Sequence, residues 1–423
     1  MAAIHRSYWV ETLGCPKNQV DSDKLTGVLV ADGLVPALTP ADADLIVVNT
    51  CAFVEQARAE SVEAVLALSG ARRPGSEVVV TGCMAERYGA ELAEALPEVD
   101  AVVGFGVPVH LRAPGLPSFD LLNLPRPPAT APWAYVKVAE GCDRACGFCA
   151  IPSFRGPQRS RTLPAILSEV DALGAREIVL VAQDLAAYGR DQGRGTRQIV
   201  DLVEAVAARV ERVRLLYLYP SDLTDGLIDA VCATGVAYFD LSLQHVSRPL
   251  LRAMRRWGDG ARFLARMADI RRRAPEAAFR SNFIVGYPGE TEDDHDALLA
   301  FLEEAQLDWC GFFPWSPEEG THAVTLDGRV DPSLVGARLG ECSERQDAIT
   351  ARRRDLLVGR EVEVLVDRPG VGRTYREAPE IDGVVHVPLG LSMGEVAAVT
   401  IAAAAGPDLV AVGAVEPLDE PGA

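Results

Sequence analysis

Short apolar runs alternate with stretches of helical period along most of the chain. In residues 1–125, strand-like runs at 8–13, 45–49, 77–81 and 101–104 are separated by helical patterns over about 22–32, 54–68 and 85–96. Strands that each hand over to a helix predict an open parallel α/β sheet. The stretch LLNLPRPPATAP at 121–132 can neither complete a ladder nor continue a helix, and marks a linker. Strand patterns then recur at 134–138, 178–182, 214–218, 239–243, 279–285 and 309–313, each followed by a helical one. That rhythm predicts a second domain, residues 132–355, built as a full or partial barrel of about six β/α units. From 356 to 423 the pattern changes to short β-rich runs at 361–366, 384–387, 396–402 and 409–412, broken by Gly, Pro and Asp. These predict a small antiparallel β-barrel.

Composition narrows the function classes. With 423 residues, 48% of them apolar and 24% charged, the chain has material for several buried cores and is neither a disulfide miniature nor a disordered polymer. Its charge, 41 basic against 60 acidic residues, is −19. Such a field disfavours nucleic acids and anionic membranes and suits a basic partner. Residues 1–14 resemble neither a secretory signal nor a transit peptide, and no apolar run reaches the roughly 18 residues of a membrane span. A cytoplasmic protein is expected. Nine cysteines, an odd number, then point to metal binding or catalysis rather than disulfides.

The tightest cysteine pattern is Cys142-Asp-Arg-Ala-Cys146-Gly-Phe-Cys149, in a loop after the predicted strand 134–138. With Gly141 and Gly147 to bend it, such a loop can turn three sulfurs onto one face of an iron–sulfur cluster and leave one iron open. Structural zinc, the alternative with plain core cysteines, wants four closed ligands, and no fourth Cys or His follows within the next fifty or so residues. Cys15, Cys51 and Cys83 lie far apart in sequence, yet each follows a predicted strand by one or two residues. In a parallel sheet those positions share the carboxyl edge, where ligands bind. Three thiolates meeting at one metal centre and three small buried turn residues are both consistent with that spacing. Cys232, Cys310 and Cys342 lack ligand spacing and read as structural.

The three-cysteine loop, with Phe148 just before its last cysteine, resembles the signature of the radical S-adenosylmethionine (SAM) superfamily. That resemblance implies a partial βα barrel whose 4Fe–4S cluster binds SAM at the open iron and cleaves it to methionine and a 5′-deoxyadenosyl radical. Adding the dispersed cysteine trio and the small terminal barrel, the whole chain is similar to the methylthiotransferase family. Supporting segments are Ile151-Pro-Ser-Phe-Arg-Gly-Pro-Gln-Arg-Ser-Arg161, Asp240-Leu-Ser-Leu-Gln-His245, Phe283-Ile-Val-Gly-Tyr-Pro-Gly-Glu-Thr291 and Ser316-Pro-Glu-Glu-Gly-Thr321. The resemblance implies a second 4Fe–4S cluster on Cys15, Cys51 and Cys83, and a TRAM-like terminal barrel. It also implies two SAM molecules per turnover, one donating a methyl group to sulfur and one supplying the radical.

One branch of that family modifies adenosine in transfer RNA and the other an aspartate of ribosomal protein S-twelve. Gly14-Cys-Pro-Lys-Asn18 resembles the second branch, where the RNA branch has Gln-Met in place of Pro16-Lys17, and so does Glu377-Ala-Pro-Glu-Ile-Asp-Gly383. Charge argues the same way. From Val358 onward four arginines face eleven acidic residues, a net of −7, where an RNA-binding barrel needs a positive groove. The expected partners are therefore the basic ribosomal protein, an electron donor such as flavodoxin or ferredoxin, and a sulfur source. A tRNA-adenosine methylthiotransferase and a non-enzymatic iron–sulfur scaffold are the competing readings. Strand-end residues facing the barrel mouth, Gln183, Asp184, Gln244, Arg280 and Asn282, are the candidates for holding SAM, with Phe148 beside the cluster. Ser242, Ser281 and Asn282 depart from the residues usual in the family. His245, Tyr217 and Tyr219 read as core packing rather than catalysis.

Overall fold

The computed structural model describes residues 6–107, 120–193 and 196–414. The first domain has strands β1 (Ser7–Thr12), β2 (Val35–Pro36), β3 (Leu45–Thr50), β4 (Glu77–Gly82) and β5 (Ala101–Val102), with helices α1 (Pro16–Ala31), α2 (Glu55–Ala71) and α3 (Cys83–Ala95). All pairings are parallel, in the order β2-β1-β3-β4-β5. β3 is buried along its whole length, as its β-branched run requires between two neighbours. Helix α1 begins six residues before the predicted start, with Pro16 in its first turn and Cys15 as N-cap. Its buried side chains include Asn18, Asp21 and Lys24, so the early turns lack the apolar stripe that periodicity looks for. The proline-rich linker is laid tightly against α1, since a Cβ on Gly27 would stand 2.7 Å from the Pro125 carbonyl oxygen.

The second domain comprises β6 (Trp133–Lys137), β7 (Ala139–Glu140), α4 (Ile151–Arg155), β8 (Arg159–Ser160), α5 (Leu163–Leu173), β9 (Glu177–Val181), α6 (Ile199–Ala207), β10 (Arg212–Leu215), α7 (Asp225–Ala233), β11 (Tyr238–Gln244), α8 (Arg248–Ala253), α9 (Gly260–Arg273), β12 (Ala278–Val285), α10 (Glu292–Ala305), β13 (Trp309–Pro314) and α11 (Pro332–Asp355). Two three-stranded parallel sheets, β6-β9-β10 and β11-β12-β13, are joined by a parallel bridge between Leu218 and Leu241. The product is a six-stranded partial barrel with its strands at the predicted places.

The third domain is a closed barrel of β14 (Glu361–Arg368), β15 (Val371–Arg373), β16 (Val385–His386), β17 (Val396–Ala405) and β18 (Asp408–Ala411). It is antiparallel except that β16 runs parallel to β18. The strand β15 was not expected, and the acids Glu416, Asp419 and Glu420 counted in the tail lie outside the described residues. Residues 374–383 leave this barrel and close the strand-start end of the larger one. Tyr135 donates to the Pro379 carbonyl (2.8 Å), Tyr238 to Asp382 (2.6 Å) and the Trp309 indole to the Arg376 carbonyl (2.6 Å). Beneath them Glu177 receives Arg214 at 2.7 Å and Arg373 at 3.0 Å. With that end plugged by the chain itself, ligands enter from the strand-end side.

Candidate active site

Cys15 caps α1, Cys51 directly follows β3 and Cys83 opens α3, so the ends of three adjacent strands present one cysteine each. Gly14 is required there. Its φ is +98°, and a Cβ would lie 2.8 Å from that of Cys51. Asn18 ties the edge together, donating to the carbonyls of Leu13 (2.9 Å) and Thr50 (3.1 Å) and accepting from the Cys83 thiol at 3.5 Å. Burial, with the neighbouring Cys15 and Cys83, pushes the Cys51 thiol up to about 12. Burial also acts on Cys15, but Lys17, Arg155 and the N–H groups of Asn18 and Lys17 outweigh it and bring that thiol below its ordinary value. Three mutually repelling thiols at one sheet edge, served by cations and amides, fit a metal that replaces their protons.

The second set sits in the loop between β7 and α4. Its backbone is pinned on both sides: Cys142 N–H donates to Gly156 (3.1 Å), Gly147 N–H to Met254 (2.8 Å), and Ala323 N–H to Gly147 (2.7 Å). Gly141 has φ +76°, and a Cβ on it would meet the Pro157 carbonyl oxygen at 2.2 Å. Burial, then neighbouring charges, pushes the Cys142 thiol up to about 11 and the Cys149 thiol up to about 12. Arg256 reaches Cys146 at 3.6 Å, and the Arg144 N–H lies 3.4 Å from the Cys142 sulfur. Among the described residues no three His, Cys, Asp or Glu side chains, in either cysteine set, are posed to hold a single metal ion. The donor set of three thiols, with no fourth cysteine in the loop, fits an iron–sulfur cluster with one open iron.

Residues that sequence reasoning missed join the two sets. Arg155, six positions after Cys149 in the quoted segment 151–161, donates to both Glu140 oxygens (3.0 and 2.9 Å), to Asp21 (3.3 Å), to Asn18 (2.8 Å) and to the Cys83 sulfur (2.8 Å). Lys137, fully buried, pairs with Asp21 and with Glu140. On another face Arg58 and Arg87 of the first domain both reach Glu318, each at 2.6 Å. Ion pairs between residues more than a hundred positions apart leave no periodic trace in a sequence.

Both sets open on the segment after β10. Lys17 stands over the Tyr217 ring with its Nζ 3.6 Å from the centroid, while Arg144 and Arg256 lie 3.7 and 4.0 Å from the Tyr219 ring. Tyr217 holds φ +65°, a strained value for an aromatic residue, and its N–H is fixed by Asp240 at 3.0 Å. Of the expected SAM contacts, Gln183 donates to Glu140 (2.7 Å), and its own carbonyl oxygen, like Asn282 Oδ1 and Asp184 Oδ1, is buried without a partner. Asp184 otherwise receives Arg144 at 2.6 Å. Gln244 ends β11 at φ +72°, after a bulge, and Phe148 packs on the barrel core. Arg280 does not face the mouth. It lies near the start of β12, shared between Asp240 and Asp382 at 3.3 Å each, because the terminal segment supplies a carboxylate below it. His245 accepts the Ser247 N–H (3.0 Å) in the core, and burial pushes it down to about 4. Cys232, Cys310 and Cys342 pack in or against the hydrophobic core.

Three family matches span the chain: Uncharacterized protein family UPF0004 at residues 7–104, the Radical SAM superfamily at 136–302 and the TRAM domain at 358–413. A ribosomal protein uS12 methylthiotransferase RimO of Moorella thermoacetica is 42% identical over 400 residues, 89% of this chain and 92% of that one. Its counterpart from Saccharopolyspora erythraea is 41% identical over 468 residues, covering 97% and 96%. Among solved structures, the radical SAM methyltransferase TsrM of Kitasatospora setae aligns at 14% identity with a TM-score of 0.49, over 73% of this chain and 72% of that one.

Proposed function

The chain belongs to the RimO family of ribosomal protein uS12 methylthiotransferases, and from that premise we propose that it attaches a methylthio group to the β-carbon of an aspartyl side chain of uS12, using a 4Fe–4S cluster on each cysteine set. It is a radical SAM transferase, and the family brings a 4Fe–4S cluster and SAM to the barrel. When bound, the cluster on Cys142, Cys146 and Cys149 supplies the electron that cleaves SAM to a radical able to remove hydrogen from a carbon too weakly acidic for a general base. The side chains do the rest by position. Gln183, Asn282 and Asp184 offer SAM their unpartnered buried oxygens. Arg155 locks the first domain onto the barrel, so that Cys15, Cys51 and Cys83, which would hold the second cluster, are tied in place relative to the barrel loop.

The observation that carries this reading is that a neighbour of each cysteine set reaches the same short segment: Lys17, two residues from Cys15, lies over Tyr217, and Arg256, which reaches Cys146, lies over Tyr219. A substrate carbon lodged beside the two rings would then be offered to both sets. The terminal barrel favours a basic protein over RNA. Of its four arginines, Arg373 is buried on Glu177 and Asp367, Arg360 and Arg376 are paired with Glu276 and Arg368 is exposed, while Glu361, Glu380 and Glu395 are exposed as well and outnumber it. A flavodoxin or ferredoxin as electron donor and an external sulfur source complete the scheme. The test offers cluster-reconstituted protein SAM, reductant and sulfide together with uS12 and a tRNA anticodon stem-loop. Methylthio on uS12 alone is the expected outcome, and methylthio on the RNA alone would reverse the substrate assignment.

A further inference from the structure

We propose that the Lys17 ammonium receives the β-carboxylate of the substrate aspartyl residue and so sets which carbon meets the radical; this rests on the function proposed above. The chain uses lysine sparingly, with only Lys17, Lys24 and Lys137 among its 41 basic residues. Two of the three are fully buried and have acids: Lys24 pairs with Glu169 at 3.4 Å and Lys137 with Asp21 and with Glu140 at 2.8 Å. Lys17 is different. Among the described residues no carboxylate stands within ion-pair distance of it, and its contact is the face of Tyr217. A ring face holds an ammonium electrostatically without using up its three N–H donors, which stay available to an anion.

The surrounding acids and cations already have other partners, acids for Arg144 and a backbone carbonyl for Arg256. Asp240 serves the Tyr217 N–H and Arg280, Arg144 is taken by Asp184 and Asp222, and Arg256 bonds the Ser242 carbonyl. A carboxylate entering the strand-end side of the barrel therefore finds Lys17 unneutralised. Position supplies the rest of the argument. Lys17 is two residues from Cys15, and its perch on Tyr217 is two residues from Tyr219, which Arg256 shares with Cys146. A carboxylate bound there hangs its neighbouring carbon between the two cysteine sets, which is the atom an aspartyl side chain offers for modification. An adenine base carries no anion beside the carbon to be modified.

SAM also carries a carboxylate, and the experiment separates the two sources. Fluorescence anisotropy is measured for a labelled uS12 peptide containing the aspartate, and for the same peptide with asparagine, on cluster-reconstituted wild type, Lys17→Met and Lys17→Arg. SAM binding is followed by equilibrium dialysis, and cluster absorbance verifies that all three proteins are loaded. Wild type should prefer the aspartyl peptide by about tenfold to a hundredfold, the range of one charge-assisted contact. Lys17→Met should erase that preference, and Lys17→Arg should recover part of it. A wild type indifferent to aspartate against asparagine overturns the proposal, as does a Lys17→Met protein that keeps the preference. Loss of SAM affinity with the peptide preference intact overturns it too, by assigning the ammonium to SAM. If wild type binds but never methylthiolates the aspartyl peptide, the parent reading fails instead, and the proposal falls with it.

Discussion

Replacing Arg155 with methionine should loosen the joint between the first domain and the barrel. Methionine keeps the volume of the stem, so the loss is electrostatic. It removes two contacts to Glu140 at 3.0 and 2.9 Å, one to Asp21 at 3.3 Å, and those to Asn18 and the Cys83 sulfur at 2.8 Å each. It also removes a guanidinium lying 4.3 Å from the Phe105 ring. Stripping one partner from a buried ion pair costs about 3–5 kcal/mol. Lys137 still pairs with both Asp21 and Glu140, which argues for the lower end, about 3 kcal/mol. If that energy governs local opening of the joint, amides in α1 and α4 should exchange with deuterium roughly a hundredfold faster than in wild type, while those in α9 and α10 stay unchanged. Arg155→Lys should fall between, because an ammonium lacks the planar fork that spans Glu140 and Asn18 together. Exchange in α1 and α4 within about threefold of wild type would refute the claim that Arg155 holds the domains in register.

Two further outcomes follow from the geometry. Gly141→Ala forces a Cβ against the Pro157 carbonyl oxygen at φ +76°, so the barrel should lose its cluster while the first domain keeps its own, halving bound iron per chain in reconstituted protein; full iron content would contradict the tight fit. His245 titrates near 4 when folded, against 6.5 ordinarily, so the unfolded chain binds the proton first as pH falls. Its contribution is complete above about 6.5 and is lost toward 4, by up to about 3 kcal/mol. Urea midpoints measured from pH 7 to 4.5 should therefore fall less steeply for His245→Asn, and parallel curves would show that the buried imidazole carries no such linkage.

The longer strands of the first sheet and of the barrel were legible because each is a short apolar run with a helix behind it, whereas the two-residue strands β2, β7 and β8 are too short to leave a pattern; Cys15, Cys51 and Cys83 could be grouped because a parallel sheet puts its turns on one edge. What stayed hidden has one physical character: polar groups buried against other polar groups. The start of α1 escaped notice since its buried positions there carry Asn18, tied to the sheet edge, and Asp21 and Lys24, paired with acids or cations of the second domain, rather than an apolar stripe. Arg155 stood inside a quoted segment, yet nothing in its neighbours announces Cys83 as a partner. Arg280 was expected at the barrel mouth and lies deeper, level with Tyr217 and shared between Asp240 and Asp382, because residues 374–383 fold under the barrel and bring Asp382 to it. The segment 377–383 was noticed as a family-like string; its work is to seal one end of the barrel.

If two cysteine sets act on one carbon, isotope transfer will record both events in a single product. Wild-type protein is given a uS12 peptide deuterated at the aspartyl β-carbon and SAM labelled in its methyl group, with reductant and sulfide. Deuterium should appear in the 5′-deoxyadenosine, and the labelled methyl on sulfur attached to the same peptide. Deoxyadenosine free of deuterium, or methylthiolated peptide that retains all of it, would contradict the claim.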